Sequence, residues 1–217
     1  MTGRHPLARF SAATVSDALD RLGLPGSMLG IAPLHDGARL CGRAFTVRYV
    51  TAGSPPGTVG DYLDDVAPGE VVVLDNGGRT DCTVWGDILT AMAADRGVAG
   101  TVIDGVCRDV RRALDAGYPI YSRGRFMRTG KDRVEVSDVG RPVSVGGVQV
   151  RAGDLVLGDA DGVLAVPRAA EEQVLEICGA IAAREEAIVA DVLSGTSLAE
   201  ARRRHGYHLL QRREAQP

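Results

Sequence analysis

The stretch of residues 70–124 constrains the fold more than any other part of the chain, because short apolar runs alternate there with runs of helical character. Three apolar runs predict strands that are covered on both faces: 70–76, 98–105 and 119–124. Two intervening runs predict helices: 86–97 and 107–117. Gly77 and Gly78 are expected to break the first strand. The order strand–helix–strand–helix–strand implies right-handed, parallel crossovers.

The flanking regions add a short helix, a β-rich region and a long helix. Residues 11–22 predict a helix, since apolar side chains recur there at helical spacing. Short β segments separated by Gly and Asp turns occupy residues 133–166, which is typical of antiparallel or mixed sheet. A long helix is predicted from Pro167 to about Leu193, with the apolar stripe Val174, Cys178, Ile181, Ile188 and Val192. We expect one domain over residues 1–217, with 168–217 as a C-terminal helical extension.

Charge and composition argue against several partners and locations. Lys and Arg total 25 against 28 Asp and Glu, so the formal net charge of −3 provides no global basic field for nucleic acid. Aromatic residues make up only 4%, which leaves little surface for base stacking. The chain has no apolar run of about 18 residues, no signal-peptide core in its first ten residues and no CxxC pair. We therefore expect a reduced, cytoplasmic location with no membrane or nucleic-acid partner.

Polar residues gather where the predicted strands end. In open α/β sheets, ligands bind outside the carboxyl ends of the strands. Three segments are expected to converge there: 75–78, 86–89 and 104–109. The carboxyl edge of the sheet is therefore the candidate site.

The segment Gly86-Asp87-Ile88-Leu89 stands at a predicted helix start. A helix start has unpaired backbone N–H groups and the positive end of the helix dipole, so it can bind a carboxylate or phosphate. The amides of Ile88 and Leu89 are the expected donors. Asp87 is either part of the site or a helix cap, and the segment alone favours the cap.

Arg108 and Asp109 stand at the next strand-to-helix junction. An Arg can hold a carboxylate through two parallel hydrogen bonds, and an Asp suits magnesium or manganese. A surface Arg beside a helix-capping Asp is the alternative interpretation. Together with the helix start at Asp87, the pair is suited to a 2-oxo acid and a divalent metal that stabilises an enolate.

The segment WGDILTAMAADRGVAGTVIDGVCRDV (85–110) resembles the signature of the RraA-like family. The family motif is an acidic residue, twenty residues and then Arg-Asp, which are matched here by Asp87, Arg108 and Asp109. Further resemblance covers 14–23, 71–78 and 153–167. The resemblance implies a layered α/β/β/α sandwich of the swivelling-domain type with a long C-terminal helix. It also implies homotrimers or hexamers with active sites between subunits.

The resemblance assigns a role to each motif residue. It implies that Asp109 contacts Mg²⁺ or Mn²⁺, that Asp87 holds a water on that metal, and that Arg108 binds the substrate carboxylate and 2-oxo oxygen. The Ile88 and Leu89 amides would help to hold that carboxylate.

The family also uses an acidic residue from the neighbouring subunit's C-terminal region. The best match is Glu185, which falls between Ile181 and Ile188 on the apolar stripe, and Glu186 is the second choice. An acid on an apolar stripe needs a partner, which is either that neighbouring metal site or a salt bridge.

The function implied is that of a class II pyruvate aldolase that cleaves 4-hydroxy-4-methyl-2-oxoglutarate-like acids to pyruvate and also decarboxylates oxaloacetate. Two alternatives stay open: a non-catalytic regulator-type binding protein, and a lyase of the same scaffold with a specialised substrate. The family's regulator lacks the Asp of the Arg-Asp pair. Asp109 is present here, which favours the enzyme.

Overall fold

The computed structural model describes residues 5–207. Ten strands are present in this range: β1 (Ala32–Pro33), β2 (Leu40–Thr51), β3 (Glu70–Thr83), β4 (Gly100–Cys107), β5 (Ile120–Arg125), β6 (Val134–Val139), β7 (Val143–Val145), β8 (Val148–Val150), β9 (Leu155–Asp159) and β10 (Gly162–Val166). Five α-helices accompany them: α1 (Ala12–Leu22), α2 (Asp87–Asp95), α3 (Val110–Asp115), α4 (Glu171–Leu193) and α5 (Leu198–Arg204). Short 3₁₀ turns cover Pro6–Arg9, Asp61–Asp65 and Arg168–Ala170.

Eight of these strands form one mixed sheet. Its order is β1-β5-β4-β3-β2-β9-β10, and β6 pairs with the second half of β2. The pairs β2–β3, β3–β4 and β4–β5 are parallel, as the alternating sequence predicts, whereas β9, β10 and β6 are antiparallel to their neighbours. The remaining strands, β7 and β8, form a separate hairpin.

Three hydrophobic clusters separate the layers of the fold. The first lies between the parallel strands and helices α2 and α3, and includes Leu74, Trp85 and Ile103. The second joins the parallel strands to β9, β10 and the β7–β8 hairpin, and the third packs α1 and α4 on β9 and β10. This order of helix, strand, strand and helix layers confirms the α/β/β/α prediction.

The helix boundaries follow local chemistry. The Ser11 side chain accepts a hydrogen bond from the Thr14 amide and caps α1, and Gly23 ends the helix in the left-handed conformation at φ 68°. The predicted stripe of α4 is buried at Val174, Cys178, Ile181 and Ile188. None of the helices within residues 5–207 combines the length and hydrophobicity that a membrane span requires.

One predicted boundary is wrong. β3 does not stop at Gly77-Gly78 but runs on to Thr83, because its pairing with β4 shifts twice, between Asp75 and Arg79 and again before Thr83. Both glycines have positive φ values, 60° and 70°, which suits such a bulged strand. Residues 208–217 of the predicted C-terminal extension lie outside the described residues.

Candidate active site

The candidate site lies where α2 and α3 begin, beyond the carboxyl ends of β3 and β4. The N–H of Arg108 donates to the carbonyl of Trp85 at 3.0 Å, which joins the chain before α3 to the chain before α2. Asp87 is the first residue of α2, and Asp109 precedes α3. The structure thus brings together all three motif residues predicted from the sequence.

Trp85 anchors the start of α2. Its indole is buried and stacks on Tyr118, with ring centroids 6.0 Å apart. The indole N–H donates to the Thr90 hydroxyl at 2.9 Å, and that hydroxyl donates to the Gly86 carbonyl at 2.8 Å. These hydrogen bonds satisfy buried polar groups and hold Gly86 against the buried Trp85 side chain.

Asp109 occupies a special backbone conformation. Its φ of 54° and ψ of 36° lie in the left-handed region, which Asn and Asp tolerate better than other non-glycine residues. Its Oδ2 accepts from the Asp87 amide and lies beside the Arg108 Nε, at 3.2 Å in each case. A Cβ on Gly86 would come within 2.8 Å of this oxygen, so only glycine leaves the pair undisturbed.

Asp87 also acts on its own helix. Its Oδ1 accepts from the Ile88 amide at 2.8 Å, so one of the two amides predicted to hold a substrate carboxylate is occupied by Asp87 in the ligand-free chain. The Leu89 amide belongs to the same first turn, whose N–H groups have no acceptor within the helix. The carboxylate that would serve the proposed site is therefore the same group that accepts a hydrogen bond at the start of α2.

Two cavities meet at Arg108. The amide cavity, of about 210 Å³, is lined by Gly86, Asp87, Ile88, Leu89 and Arg108, together with Gly60, Thr83 and Thr129. The arginine cavity, of about 300 Å³, is lined by Cys107, Arg108, Asp109, Val110, Arg125, Phe126 and Met127. A third depression lies between α2 and α3, against Asp87 and Asp109. The motif residues thus stand between recesses large enough for a small acid.

The first of the three predicted segments does not join the site. Asp75 accepts from the Ser144 amide at 3.2 Å, and Asp104 accepts from the Gly146 amide at 2.8 Å, so both carboxylates brace the β7–β8 hairpin on the opposite face of the sheet. Asp104 also pairs with Arg123. The expected convergence therefore holds for 86–89 and for the end of 104–109, but not for 75–78.

Asp87 and Asp109 can supply two carboxylates to a metal ion. Magnesium commonly binds through one or two carboxylates and keeps several waters, and both residues are exposed enough for that geometry. Within residues 5–207, no three His, Cys, Asp or Glu residues come close enough to form a larger metal-binding group. A third carboxylate ligand would therefore come from another copy of the chain or from residues other than 5–207.

Glu185 lies on α4 at the margin of the buried stripe, with its side chain exposed. Neighbouring atoms nevertheless shield its carboxyl partly from water, and this partial burial raises the pKa of the carboxyl. The negative charge of Asp17 raises that pKa further. Neither Glu185 nor Glu186 forms an ion pair in the described part of the chain. The salt bridge considered as an alternative for Glu185 is thus not formed within the described residues.

Sequence reasoning missed the residues that support and border the motif. Trp85 lies inside the recognised segment, but nothing in the pattern predicts its hydrogen bond to Thr90. Arg125, the last residue of β5, lines the arginine cavity, and Thr129 lines the amide cavity from the segment after β5. The placement of Arg125 depends on the register of β5 against β4. A cation at the carboxyl end of a predicted strand was the available signal for Arg125.

Comparison with known proteins identifies the family. The model of the RraA-like family (Aldolase/RraA) matches residues 12–165, which is more than half of the chain. The chain belongs to the RraA-like family. A provisionally named 4-hydroxy-4-methyl-2-oxoglutarate aldolase of Halalkalibacterium halodurans is 38% identical over 164 residues, covering 75% of each chain.

Two further proteins are similar over most of this chain. Protein DlpA of Legionella pneumophila is 37% identical over 204 residues, which cover 93% of this chain but 33% of DlpA. The chain therefore spans about a third of the length of DlpA. A crystal structure of an uncharacterized protein from Pseudomonas syringae pv. tomato superposes with a TM-score of 0.84 at 40% identity, covering 91% of this chain and 94% of the other.

Proposed function

We propose that the protein is a divalent-metal-dependent class II pyruvate aldolase that cleaves 4-hydroxy-4-methyl-2-oxoglutarate-like acids and also decarboxylates oxaloacetate. The observation that carries this proposal is the meeting of Asp87, Arg108 and Asp109 at two helix starts, with Asp109 Oδ2 placed 3.2 Å from both the Asp87 amide and the Arg108 Nε. The relative from H. halodurans supports the same reaction class.

Asp109 and Asp87 would hold Mg²⁺ or Mn²⁺, with waters completing the coordination. The ion would act as a Lewis acid on the 2-oxo group and would offset the negative charge that develops during bond cleavage. The two exposed carboxylates and the lack of a closed ligand set in the described residues fit an open, water-rich site.

Arg108 is the substrate-binding cation of this proposal. Arg108 lines both cavities, and a guanidinium can hold the carboxylate and the 2-oxo oxygen of a bound acid. The Leu89 amide is a further donor at the positive end of α2. The Ile88 amide donates to Asp87 Oδ1, so it can bind a substrate carboxylate only when the Asp87 side chain rotates away to hold the metal or its water. The positive charge at Arg108 also stabilises the enolate oxygen.

The cleavage balances without an oxidant or reductant. A water positioned by Asp87 removes the proton of the C4 hydroxyl, and the C3–C4 bond breaks as C4 becomes a carbonyl carbon. The bonding electrons form the enolate of pyruvate, which takes up a proton at C3. Oxaloacetate gives the same enolate when its C3–C4 bond breaks with release of carbon dioxide.

We also propose that the active unit is a homo-oligomer, a trimer or a hexamer, in which Glu185 approaches the site of a neighbouring copy. The exposed position of Glu185, its raised pKa and its lack of an ion pair within residues 5–207 support this role. Glu186, which is also exposed, is the second choice.

Pyruvate formation from 4-hydroxy-4-methyl-2-oxoglutarate and from oxaloacetate tests the proposal. The protein is treated with EDTA, desalted and assayed with no metal, with Mg²⁺ or with Mn²⁺, against metal-only blanks. We expect turnover above the blank only when metal is restored. Protein that binds no 2-oxo acid and yields no pyruvate above the blank would contradict the proposal and favour the regulator-type binding protein.

A further inference from the structure

Arg125 is a cation beside the Arg108–Asp109 pair that the proposed mechanism does not use. Strand pairing sets it opposite Cys107, the residue before Arg108, and the Phe126 amide donates to the Cys107 carbonyl at 3.0 Å. Arg125 and the Arg108–Asp109 pair line the same cavity.

The Arg125 guanidinium is available to a ligand. Its residue is exposed, and within residues 5–207 it forms no ion pair and no side-chain hydrogen bond. Two other arginines of this region are paired: Arg123 with Asp104, and Arg111 with Asp115. Arg125 is thus an uncommitted cation on the wall of the arginine cavity.

The composition of the arginine cavity favours an anionic group. Its walls include the apolar side chains of Val110, Phe126 and Met127, and Met127 stands at the rim with 76% of its surface exposed. Two cationic residues, Arg108 and Arg125, line this cavity together with one acidic residue, Asp109. Apolar walls reduce screening by water and strengthen the attraction of this excess positive charge for an anion.

The two cavities share Arg108, and Arg125 lines only the arginine cavity. An acid held at Arg108 with its 2-oxo end against the first turn of α2 would therefore extend its other end towards Arg125. A guanidinium matches a carboxylate through two parallel hydrogen bonds, whereas a methyl or aldehyde end gains no such contact.

We propose that Arg125 is a specificity-determining residue that binds a second carboxylate at the far end of the substrate, so that the site favours 2-oxo diacids over 2-oxo monoacids. This inference rests on the proposed function, because it requires the 2-oxo end of the substrate to lie at Arg108. In the cleavage of a 4-hydroxy-2-oxo diacid, the second carboxylate stays on the fragment whose C4 becomes a carbonyl. Arg125 therefore holds that product while the enolate at Arg108 takes up its proton.

Isothermal titration calorimetry with two uncleavable acids tests this role without turnover. 2-Oxoglutarate and 2-oxopentanoate have five carbons each, lack the C4 hydroxyl and differ only in a terminal carboxylate against a methyl group. In magnesium chloride, the unaltered protein should bind 2-oxoglutarate about tenfold or more tightly than 2-oxopentanoate, as expected for a charge-assisted contact.

The variant Arg125→Gln should lose that preference and keep its affinity for 2-oxopentanoate. Arg128→Gln is the matched control, because it removes the same charge from the same segment, but Arg128 acts on the exposed Asp81 and does not line the arginine cavity. This control should keep the preference for the diacid.

The possible failures are distinguishable. If both acids bind with equal affinity, or if Arg128→Gln reduces the preference as much as Arg125→Gln, the role of Arg125 is wrong and the proposed function stands. If neither acid binds to the unaltered protein, the proposed function is contradicted as well.

Discussion

The backbone N–H of Arg108 donates to the carbonyl of Trp85 at 3.0 Å, and this bond holds together two helix starts that are more than twenty residues apart in sequence. Trp85 is anchored by its stacking on Tyr118 and by its hydrogen bond to Thr90. The backbone of Arg108, the proposed substrate-binding residue, is thus held by a residue whose indole is buried. The long spacing within the sequence motif becomes a short distance because β3 and β4 are parallel neighbours.

Replacing Gly86 with alanine should reduce activity with little loss of stability. The new Cβ would stand 2.8 Å from Asp109 Oδ2 and 3.2 Å from Arg108 Nε, so these side chains must move away from their present positions. A displacement of about 1 Å at a reacting group can cost about a hundredfold in rate, and we expect at least a tenfold loss in kcat/KM for pyruvate formation. Gly179→Ala is the control, because nothing lies within 4 Å of its Cβ position. Unchanged activity in Gly86→Ala would show that the pair can shift freely.

Replacing Thr90 with valine should lower both stability and activity. The change leaves the buried Trp85 indole N–H without its acceptor, at a cost of about 1–3 kcal/mol in the free energy of unfolding. It also removes one of the two donors to the Gly86 carbonyl, which keeps the backbone N–H of residue 90. Thr46→Val is the control, because it removes a buried hydroxyl that donates to the Arg141 carbonyl and does not line the cavities. Urea unfolding should show a loss in both variants, whereas kcat should fall only in Thr90→Val. An equal fall in kcat in both would mean that Thr90 has no special role in positioning the site.

The left-handed backbone at position 109 should make Asp109→Ala less stable than Asp109→Asn. Because Asp109 has a φ of 54°, Asp109→Ala places an ordinary side chain in the left-handed region and should destabilise the protein by about 1–2 kcal/mol. Asn is tolerated there, so Asp109→Asn should unfold close to the unaltered protein. Thermal unfolding of the two variants measures the difference. Equal melting temperatures for both would argue against backbone strain at this position.

Glu171 should stabilise the folded protein at neutral pH, and this contribution should be lost as the pH falls below about 4.5. Burial opposes ionisation of this carboxyl, but hydrogen bonds from Arg43 and His5 outweigh burial and hold its pKa below the ordinary value of 4.5. A lowered acid pKa stabilises the folded chain above the unfolded-state pKa, and that stability disappears as the pH falls through the folded-state pKa. Glu171→Gln should therefore be less stable at pH 7, and the difference should shrink on acidification.

Urea unfolding between pH 7 and pH 3 measures this dependence, with Glu172→Gln at the exposed next position as the control. The control should differ little from the unaltered protein across the range. A stability difference for Glu171→Gln that stays constant with pH would contradict the assignment.

Local patterns were sufficient to predict the order of helices and strands, because buried parallel strands are short apolar runs and both helix starts follow strand ends. The same reasoning predicted that Asp87 and the Arg108-Asp109 pair would meet. It failed at Gly77-Gly78, since the shifted pairing of β3 with β4 depends on the partner strand and not on the two glycines alone.

Other features of the site depend on contacts that no local pattern encodes. The placement of Arg125 follows from its register opposite Cys107, and the left-handed conformation of Asp109 follows from the junction between β4 and α3. The role expected for Glu185 requires a second copy of the chain, so neither its sequence position nor the single chain determines its partner.

Pyruvate formation by Asp109→Asn, compared with Asp115→Asn, tests the central proposal most directly. Both variants remove one carboxylate near α3, but Asp115 pairs with Arg111 on the helix surface and lines none of the cavities. With saturating Mg²⁺ and 4-hydroxy-4-methyl-2-oxoglutarate, Asp109→Asn should lose at least a hundredfold in kcat/KM, while Asp115→Asn stays near the unaltered protein. Full magnesium-dependent activity in Asp109→Asn would contradict the proposed active site.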